Sequence, residues 1–480
     1  MADRRPSRLK ARALLLLALL LPAPLAAQGQ ESAAPLQQTL PAAAAPQPAP
    51  PRVELRGVWL TANDMPVLRD RERMRDTVAT LARLQFNTLY PVVWNGGLAY
   101  YPSRVTQERQ LQHFTFRGLQ GQDVLAELIA EGRRQGLLVI PWFEFGFMAP
   151  PDSELARRHR AWLTHKRDGG LTSISAAGEV VWLNPFRPEV QQLITDLVLE
   201  VVGTYGAEGI QFDDHMTLPR EFGYDPFTVA LYRKATGREP PANPDDAAWV
   251  KWRADRLTAF MEQLVQAVRA RRPGAIISIS PNYYDFAYKL QLQDWRTWVR
   301  RGIADELLVQ IYRPDLDSFT PHLWRAEVQE ARQRIPTAIA VMSGQRNRPT
   351  SLELLRQKVS VTRQAGLGVA FFYLESLWGL GPEPLDQRQA LLARLFAAPA
   401  SRLLQRPAPQ SAPQPGQPAQ PEPDAGLPGL GVLDADALDL GPALDAQGMP
   451  LLPPQPQPAL PGLPPLPRSS RQLPPLPALP

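Results

Sequence analysis

The feature that most constrains this chain is the alternation of apolar, strand-like runs with amphipathic, helix-like runs through its middle. Because parallel strands need a crossover helix between them, this alternation favours a parallel α/β fold. Eight complete units predict a closed (β/α)8 barrel, the TIM barrel. The predicted strands span residues 54–61, 86–93, 137–146, 209–215, 275–282, 306–313, 337–343 and 368–375. The predicted helices span residues 69–85, 123–135, 188–205, 249–271, 290–300, 319–334, 352–364 and 386–396.

An open, doubly wound sheet is the alternative parallel architecture, and the first strand fits it less well. Such sheets commonly place a glycine-rich phosphate-binding turn directly after strand one. Here the first strand runs into Thr61-Ala62-Asn63-Asp64 instead. We therefore predict the barrel, with its longest loops after strands two, three and four.

Proline-rich arms flank the predicted barrel, and a large share of the 53 prolines lies before Pro51 or after Pro399. This composition cannot bury a core, so both arms are expected to be disordered. The C-terminal tail is either a docking segment for a partner or an extension that binds none. The predicted organisation is a signal peptide over 1–27, an Ala/Pro/Gln-rich linker over 28–52, the barrel over 53–398 and a Pro-rich tail over 399–480.

The first 27 residues have the pattern of an export signal. Arg4 and Arg5 open a positive start, the stretch 13–21 is apolar, and Leu25-Ala26-Ala27 offers a cleavage site. The predicted location is therefore the periplasm or the cell exterior. The apolar run is too short to span a bilayer comfortably, so membrane attachment is expected only if the signal stays uncleaved.

Composition excludes several functions. The chain contains no cysteine, which excludes disulfides, a thiol nucleophile and a thiolate metal site. Its net charge of +5 is modest. No basic run is interleaved with aromatic residues, so nucleic-acid binding is not predicted.

The fourth predicted strand ends in the most informative polar residues, Asp213, Asp214 and His215. In a TIM barrel the active site lies at the carboxyl ends of the strands, so these side chains belong at the mouth. Polar residues also follow the other strands there, including Asn63 and Asp64 after strand one. Because side chains alternate along a strand, Gln211 and Asp213 should point into the barrel.

Carboxylates and aromatic rings without thiols are typical of glycoside hydrolysis. One carboxylic acid protonates the leaving oxygen, and a second carboxylate acts as nucleophile or activates water. Asp213 is the predicted nucleophile or base. Glu144 is the first candidate for the acid, because neighbouring aromatic residues can desolvate it and raise its pKa. Glu375 is the reserve candidate.

Further strand-end residues are predicted to bind the sugar chain, since Trp and Tyr faces stack on sugar rings. The alternative is that each carboxylate forms a buried ion pair with Arg56 or Arg313, and that each aromatic residue belongs to the core. The predicted substrate-binding residues are Asp214, His215, Trp94, Asn95, Trp142, Asn282, Tyr283, Gln310, Tyr312 and Tyr373.

A metal-dependent mechanism is the alternative hypothesis for the paired carboxylates. Paired Asp residues after a strand also occur in polysaccharide deacetylases, which need two histidines four residues apart on one helical face. None of the five histidines in this sequence has that spacing. We therefore predict neither a metal nor a cofactor.

Several motifs together make the chain resemble a known group, the bacterial glycosyl-hydrolase-like family 10. The resemblance covers about 53–395 and implies an exported barrel related to the alpha-galactosidase and alpha-amylase superfamilies. Some members look like periplasmic enzymes that cut peptidoglycan glycan strands stripped of peptides. The motifs are Glu54-Leu55-Arg56-Gly57-Val58-Trp59-Leu60, Trp94-Asn95-Gly96-Gly97, Tyr101-Pro102-Ser103, Gly209-Ile210-Gln211-Phe212-Asp213-Asp214 and Trp252-Arg253.

By this resemblance the nucleophilic Asp stands at the end of strand four, which agrees with Asp213. Members often carry Tyr after the paired Asp, where this chain has His215, and an aromatic-Pro pair where it has Leu218-Pro219. The predicted function is an exported glycoside hydrolase acting on a polysaccharide, and the predicted polysaccharide is cell-wall glycan. The alternative from another class is a catalytically silent, glycan-binding barrel tethered in the cell envelope.

Overall fold

Eight parallel strands pair in sequence order, and the last pairs with the first, so the sheet closes into a barrel without a free edge. The computed structural model of the chain describes residues 52–111, 122–175, 178–345 and 348–402. The predicted (β/α)8 barrel is confirmed. Its strands are β1 (Arg56–Leu60), β2 (Thr88–Asn95), β3 in two segments (Leu138–Val139 and Trp142–Phe143), β4 (Gly209–Asp213), β5 (Ile276–Ser280), β6 (Glu306–Gln310), β7 (Thr337–Met342) and β8 (Gly368–Phe372).

Helices follow the strands and bury their apolar faces on the outside of the barrel. Along α4, for example, Leu257, Met261 and Leu264 are fully buried at helical spacing. The eight principal helices are α1 (Arg71–Arg83), α2 (Val124–Arg134), α3 (Pro188–Thr204), α4 (Ala247–Arg271), α5 (Trp295–Arg300), α6 (Ala326–Arg334), α7 (Leu352–Gln364) and α8 (Leu385–Leu395). Shorter helices span Met65–Leu68, Arg104–Glu108, Glu154–Arg158, Pro226–Thr236, Tyr284–Gln291, Leu316–Leu323 and Leu374–Trp378, with single 3-10 turns at Ala62–Asp64 and Arg160–Trp162.

Several predicted elements are shorter or interrupted in the structure. The third strand breaks at Ile140-Pro141, since Pro141 has no N–H for the ladder, although its carbonyl still accepts from the Gln211 N–H at 2.8 Å. The eighth strand ends at Phe372, so Glu375 lies in the helix Leu374–Trp378 and not on the strand as predicted. Helix α5 begins only at Trp295, because Leu292 adopts a left-handed φ of 54°. The predicted helix 319–334 is likewise divided, ending one segment at Leu323 and resuming at Ala326.

The long loops predicted after strands two, three and four carry small structures of their own. The strand Leu98–Ala99 folds back on the end of β2. After β3, three short strands form an antiparallel sheet: Met148–Ala149, Thr172–Ser175 and Gly178–Trp182. A further two-stranded ribbon joins Gly344–Gln345 to Arg348–Pro349 after β7.

The two ends of the described chain meet beside one another. Arg52–Val53 pairs in parallel with Ala400–Ser401, so ordered structure continues past the predicted boundary at 398. The predicted signal peptide, the linker before residue 52 and the tail after residue 402 lie outside the described residues. Within the described ranges, no helix combines the length and the apolar character needed to cross a membrane.

Candidate active site

Asp213 is the last residue of β4, and its side chain points into the barrel. Two residues earlier, the Gln211 side chain accepts from the Trp59 indole N–H at 2.7 Å and donates to Ser278 Oγ at 2.9 Å, both inside the barrel. Phe212 packs instead in the layer between strands and helices. Asp213 therefore follows Gln211 into the interior, as strand alternation predicts.

Both carboxylate oxygens of Asp213 accept hydrogen bonds. Oδ2 accepts from the Trp142 indole N–H at 3.1 Å, and Oδ1 accepts from the His215 backbone N–H at 2.9 Å. The carboxylate is almost completely buried. Burial raises the pKa of Asp213 to about 6, and the charge and hydrogen bonds of His215 limit the rise. Asp213 is thus held in a fixed orientation and titrates close to neutral pH.

Asp214 has a different environment, because side-chain amides surround it. Oδ2 accepts from Asn282 Nδ2 at 2.9 Å, and Oδ1 accepts from Gln310 Nε2 at 3.0 Å. Gln291 Nε2 adds a longer contact to Oδ2 at 3.3 Å. These amide donors hold the Asp214 carboxylate in a fixed orientation next to Asp213.

His215 links the ends of β3 and β4. Its Nδ1 lies 2.7 Å from the carbonyl oxygen of Glu144 and 3.2 Å from Asp213 Oδ1. Burial opposes the charged ring, but the carboxylates of Asp214 and Asp213 outweigh burial and raise the pKa of His215 to about 10. At neutral pH the ring is therefore an imidazolium, and Nδ1 donates to both oxygens.

A glycine makes this close approach of the two strand ends possible. Gly146 has a φ of +43°, and a Cβ built on it would lie 2.4 Å from the carbonyl oxygen of His215. The adjacent Phe147 N–H donates to that same carbonyl at 3.0 Å. Any larger residue at 146 would push the β3 loop away from His215.

Glu144 lies on the other side of His215. Its N–H donates to the Trp94 carbonyl at 3.0 Å, at a point where a bulge shifts the β2–β3 register. Its carboxylate accepts a short hydrogen bond from the Asn95 amide. Burial raises the pKa of Glu144 to about 7, and the nearby Asp213 charge contributes to the rise. A large fraction of Glu144 is therefore protonated at neutral pH.

The ends of β1 and β8 bring two more acids together. Asp64 Oδ2 accepts from the Thr61 N–H at 2.7 Å, and its Oδ1 accepts from the Glu375 N–H at 2.8 Å. Burial raises the pKa of Asp64 to about 7. The sequence prediction omitted Asp64 from the catalytic candidates, although its place at the end of strand one was a usable signal.

Most of the predicted substrate-binding residues collect around these acids. Tyr312 is buried in the barrel interior, where burial and the charges of the clustered acids raise the pKa of its hydroxyl. Trp142 and Tyr373 belong to the same interior aromatic group. Tyr283 is half-buried beside Asn282. Predicted residues that touch Asp213, Asp214 or Glu144 directly are Trp142, His215, Asn282, Gln310 and Asn95.

For two predicted residues, the side chain makes no such contact in the described structure. Trp94 is buried against Phe143, and its indole N–H donates to the Gly146 carbonyl at 3.1 Å, so in this structure it packs in the core. Arg56, considered as an ion-pair partner for a mouth carboxylate, pairs with Glu54 before β1, at the other end of the barrel.

Asp213, Asp214 and His215 form a set whose possible ligand atoms lie within 4.8 Å of one another. Nδ1 of His215 donates to the Glu144 carbonyl and therefore carries a proton, so only Nε2 of this ring could ligate a cation.

In this closed parallel barrel the carboxylates of Asp213 and Glu144 lie at the carboxyl ends of the strands, and their pKa values are raised toward neutral pH. This arrangement defines a glycoside hydrolase type of site. Comparison with known families agrees. Residues 54–359 match the family described as Glycosyl hydrolase-like 10, and the chain belongs to that family. The predicted family and the predicted enzyme class, glycoside hydrolase, are thereby confirmed.

Named relatives carry the same description. Glycosyl hydrolase DigH of Escherichia coli (strain K12) is 27% identical over 385 residues, covering 70% of this chain and 82% of that protein. Glycosyl hydrolase YngK of Bacillus subtilis (strain 168) is 24% identical over 300 residues, covering 54% of each chain.

Solved structures share the fold at low identity. The PgaB (BpsB) glycoside hydrolase domain from Bordetella bronchiseptica superposes with a TM-score of 0.54 at 15% identity, covering 72% of this chain and 99% of that one. Alpha-L-fucosidase isoenzyme 2 from Paenibacillus thiaminolyticus gives a TM-score of 0.53 at 15% identity, covering 72% and 49%.

Proposed function

We propose that this protein is an exported enzyme that hydrolyses O-glycosidic bonds of cell-wall glycan strands by a two-carboxylate mechanism. Asp213 is the nucleophile or water-activating base, and Glu144 is the acid that protonates the leaving oxygen. One observation carries the assignment: His215 Nδ1 lies 2.7 Å from the Glu144 carbonyl oxygen and 3.2 Å from Asp213 Oδ1. A single ring therefore fixes the segments that carry both acids.

The pKa values of the two carboxylates, both raised by burial, support these roles. Between the pKa of Asp213, about 6, and that of Glu144, about 7, the prevailing state has Asp213 ionised and Glu144 protonated. That is the state a glycosidase needs at the start of the reaction. The imidazolium of His215 favours the ionised form of Asp213. Trp142 and the His215 N–H hold the Asp213 oxygens toward one direction of attack.

The substrate and the location have separate support. A polymeric glycan is favoured because some family members resemble enzymes that cut peptidoglycan glycan strands. It is also favoured because aromatic residues, which can stack on sugar rings, surround the acids. Export is favoured by the positive and apolar segments before residue 28. Fractionation of cells that make the full-length chain tests the location, and recovery of unprocessed protein in the cytoplasm would contradict export.

The function is tested with purified, peptide-free glycan strands. We expect the wild-type protein to generate new reducing ends, which a colorimetric reducing-sugar assay detects. If the protein releases reducing ends from another polysaccharide but not from these strands, the proposed glycosidase activity stands and the proposed substrate is wrong. Binding without release by the wild-type protein would instead favour the silent glycan-binding barrel.

The change Glu144→Gln tests the acid and its pH dependence. A plot of wild-type kcat/KM against pH should be bell-shaped, with limbs near pH 6 and pH 7. Activity rises as Asp213 deprotonates and falls as Glu144 deprotonates. Glutamine keeps an oxygen for Asn95 but donates no acidic proton, so kcat on glycan should fall about 10²- to 10⁴-fold.

An aryl glycoside with a good leaving group needs little protonation, so Glu144→Gln should cleave it much better than glycan, and its alkaline limb should disappear. Glu375→Gln is the matched comparison, since Glu375 is the reserve candidate. If Glu375→Gln shows the leaving-group dependence and Glu144→Gln does not, the acid is Glu375.

A further inference from the structure

An exposed tryptophan stands at the rim of the barrel mouth beside a small aromatic group. Trp324 keeps 57% of its surface exposed, and no other aromatic side chain in the described ranges is classed as exposed. It lies between the short helix Leu316–Leu323 and α6, where the predicted continuous helix is interrupted. Tryptophan is highly buried on average, so an indole with more than half of its surface in solvent is a candidate contact surface.

Residues that flank Trp324 in the chain connect this loop to the acid cluster. The His322 ring lies 4.8 Å from the ring of Tyr283, and the Arg325 guanidinium lies 5.9 Å from the same ring. Tyr283 directly follows Asn282, which binds Asp214 at 2.9 Å. We call Tyr283, His322, Trp324 and Arg325 the rim platform. It adjoins the acids on the β5 and β6 side but does not touch them, so a sugar on Trp324 is not the sugar being cleaved.

The charges around the rim platform decide which kind of ligand it suits. Arg325 forms ion pairs with both Asp285 and Glu327. Burial and the neighbouring arginines lower the pKa of His322 to about 4, so its ring is neutral at neutral pH. Arg313 also lies over the Tyr283 ring, at 5.2 Å.

With Arg325 compensated twice and His322 neutral, the rim platform has little net charge to select an anion. What it offers is an exposed indole face with polar groups beside it. An uncharged pyranose ring has matching chemistry, with an apolar face of C–H groups and an equatorial edge of hydroxyls.

We propose that the rim platform is a distal binding subsite for a pyranose ring of the polysaccharide, with Trp324 as its stacking surface. This inference rests on the proposed function, because it names where the chain of that substrate extends beyond the cleaved bond. It makes the preferred substrate a polymer that reaches from the acids, past Tyr283, to Trp324.

The test compares long glycan strands with an aryl glycoside too short to reach the rim. In Trp324→Ala, the ratio of kcat/KM on strands to kcat/KM on the aryl glycoside should fall about tenfold, the value of one lost aromatic contact. The loss should appear in KM and not in kcat. Trp324→Phe should restore most of it, and sodium chloride should change the ratio little.

Leu385→Ala is the matched control, because Leu385 is also an exposed apolar residue, 47% exposed, at the start of α8. Its ratio should stay at the wild-type value. An unaltered ratio in Trp324→Ala, or an equal loss in Leu385→Ala, would overturn the subsite.

Binding measurements separate this inference from the proposed function. Retardation of the wild-type protein and Trp324→Ala in gels containing glycan strands measures affinity without catalysis. Weaker retardation of Trp324→Ala supports the subsite even if the wild-type protein releases no reducing ends, in which case only the proposed activity fails. If the wild-type protein releases reducing ends but both proteins are retarded equally, the proposed activity stands and the proposed subsite is wrong.

Discussion

The variant Asp213→Asn is expected to remain folded and to lose glycan hydrolysis by about 10³-fold or more in kcat. Asparagine has nearly the same shape but can neither attack a sugar carbon nor accept a proton from water. It also presents an amide N–H where Trp142 or His215 already donates to the carboxylate. Without the Asp213 charge, the pKa of His215 should fall, which NMR titration of the ring would detect.

The matched control is Asp225→Asn. Asp225 is also buried and hydrogen-bonded, but it caps the helix Pro226–Thr236 and accepts hydrogen bonds from Thr164 and Asn184 in the long loop after β3. Its replacement should lower stability and leave kcat of the folded protein near the wild-type value. Wild-type kcat in Asp213→Asn, with unchanged circular dichroism, would contradict the assignment of Asp213.

The second large effect is expected at the opposite end of the barrel, in Arg402→Met. Glu306 is completely buried in the interior, where Tyr90 and Ser278 donate to Oε1 at 2.7 and 2.8 Å. Arg402 forms an ion pair with the same carboxylate, and its side chain is 5% exposed. Removal of one partner leaves a buried, uncompensated charge, which costs about 3–5 kcal/mol of unfolding free energy.

Denaturant unfolding measures this loss, and two comparisons identify its cause. The double change Glu306→Gln with Arg402→Met removes both charges and should recover most of the stability. Arg301→Met, which breaks the exposed pair with Glu262, should cost about 0–1 kcal/mol. A loss in Arg402→Met no larger than in Arg301→Met would show that Arg402 does not compensate Glu306.

The barrel could be predicted because the sequence patterns that specify its strands and helices are local and periodic. Apolar strands such as Gly209–Asp213 and helices such as α4 each carry their own pattern, and eight repeats leave few architectures. Alternation within one strand was also enough to place Gln211 and Asp213 inside the barrel. The ends of strands were less predictable from strand propensity, because a single backbone feature can end a strand. Pro141 and the turn after Phe372 are two examples.

The parts of the site that were missed depend on contacts between distant segments. Asp64 gains its place from the N–H of Glu375, 311 residues further along the chain, and no local pattern encodes that bond. Trp94 is a residue type that can stack on sugar rings, but its indole packs against Phe143 and donates to the Gly146 carbonyl. The pairing of Arg402 with Glu306 lies outside the predicted barrel boundary altogether.

The parallel pairing of Arg52–Val53 with Ala400–Ser401 has a consequence for where the chain joins the barrel relative to its mouth. The chain enters and leaves the barrel at the amino ends of the strands, while the acids lie at the carboxyl ends. Anything attached through residue 52 or residue 402 therefore joins the barrel at the end opposite to the acids.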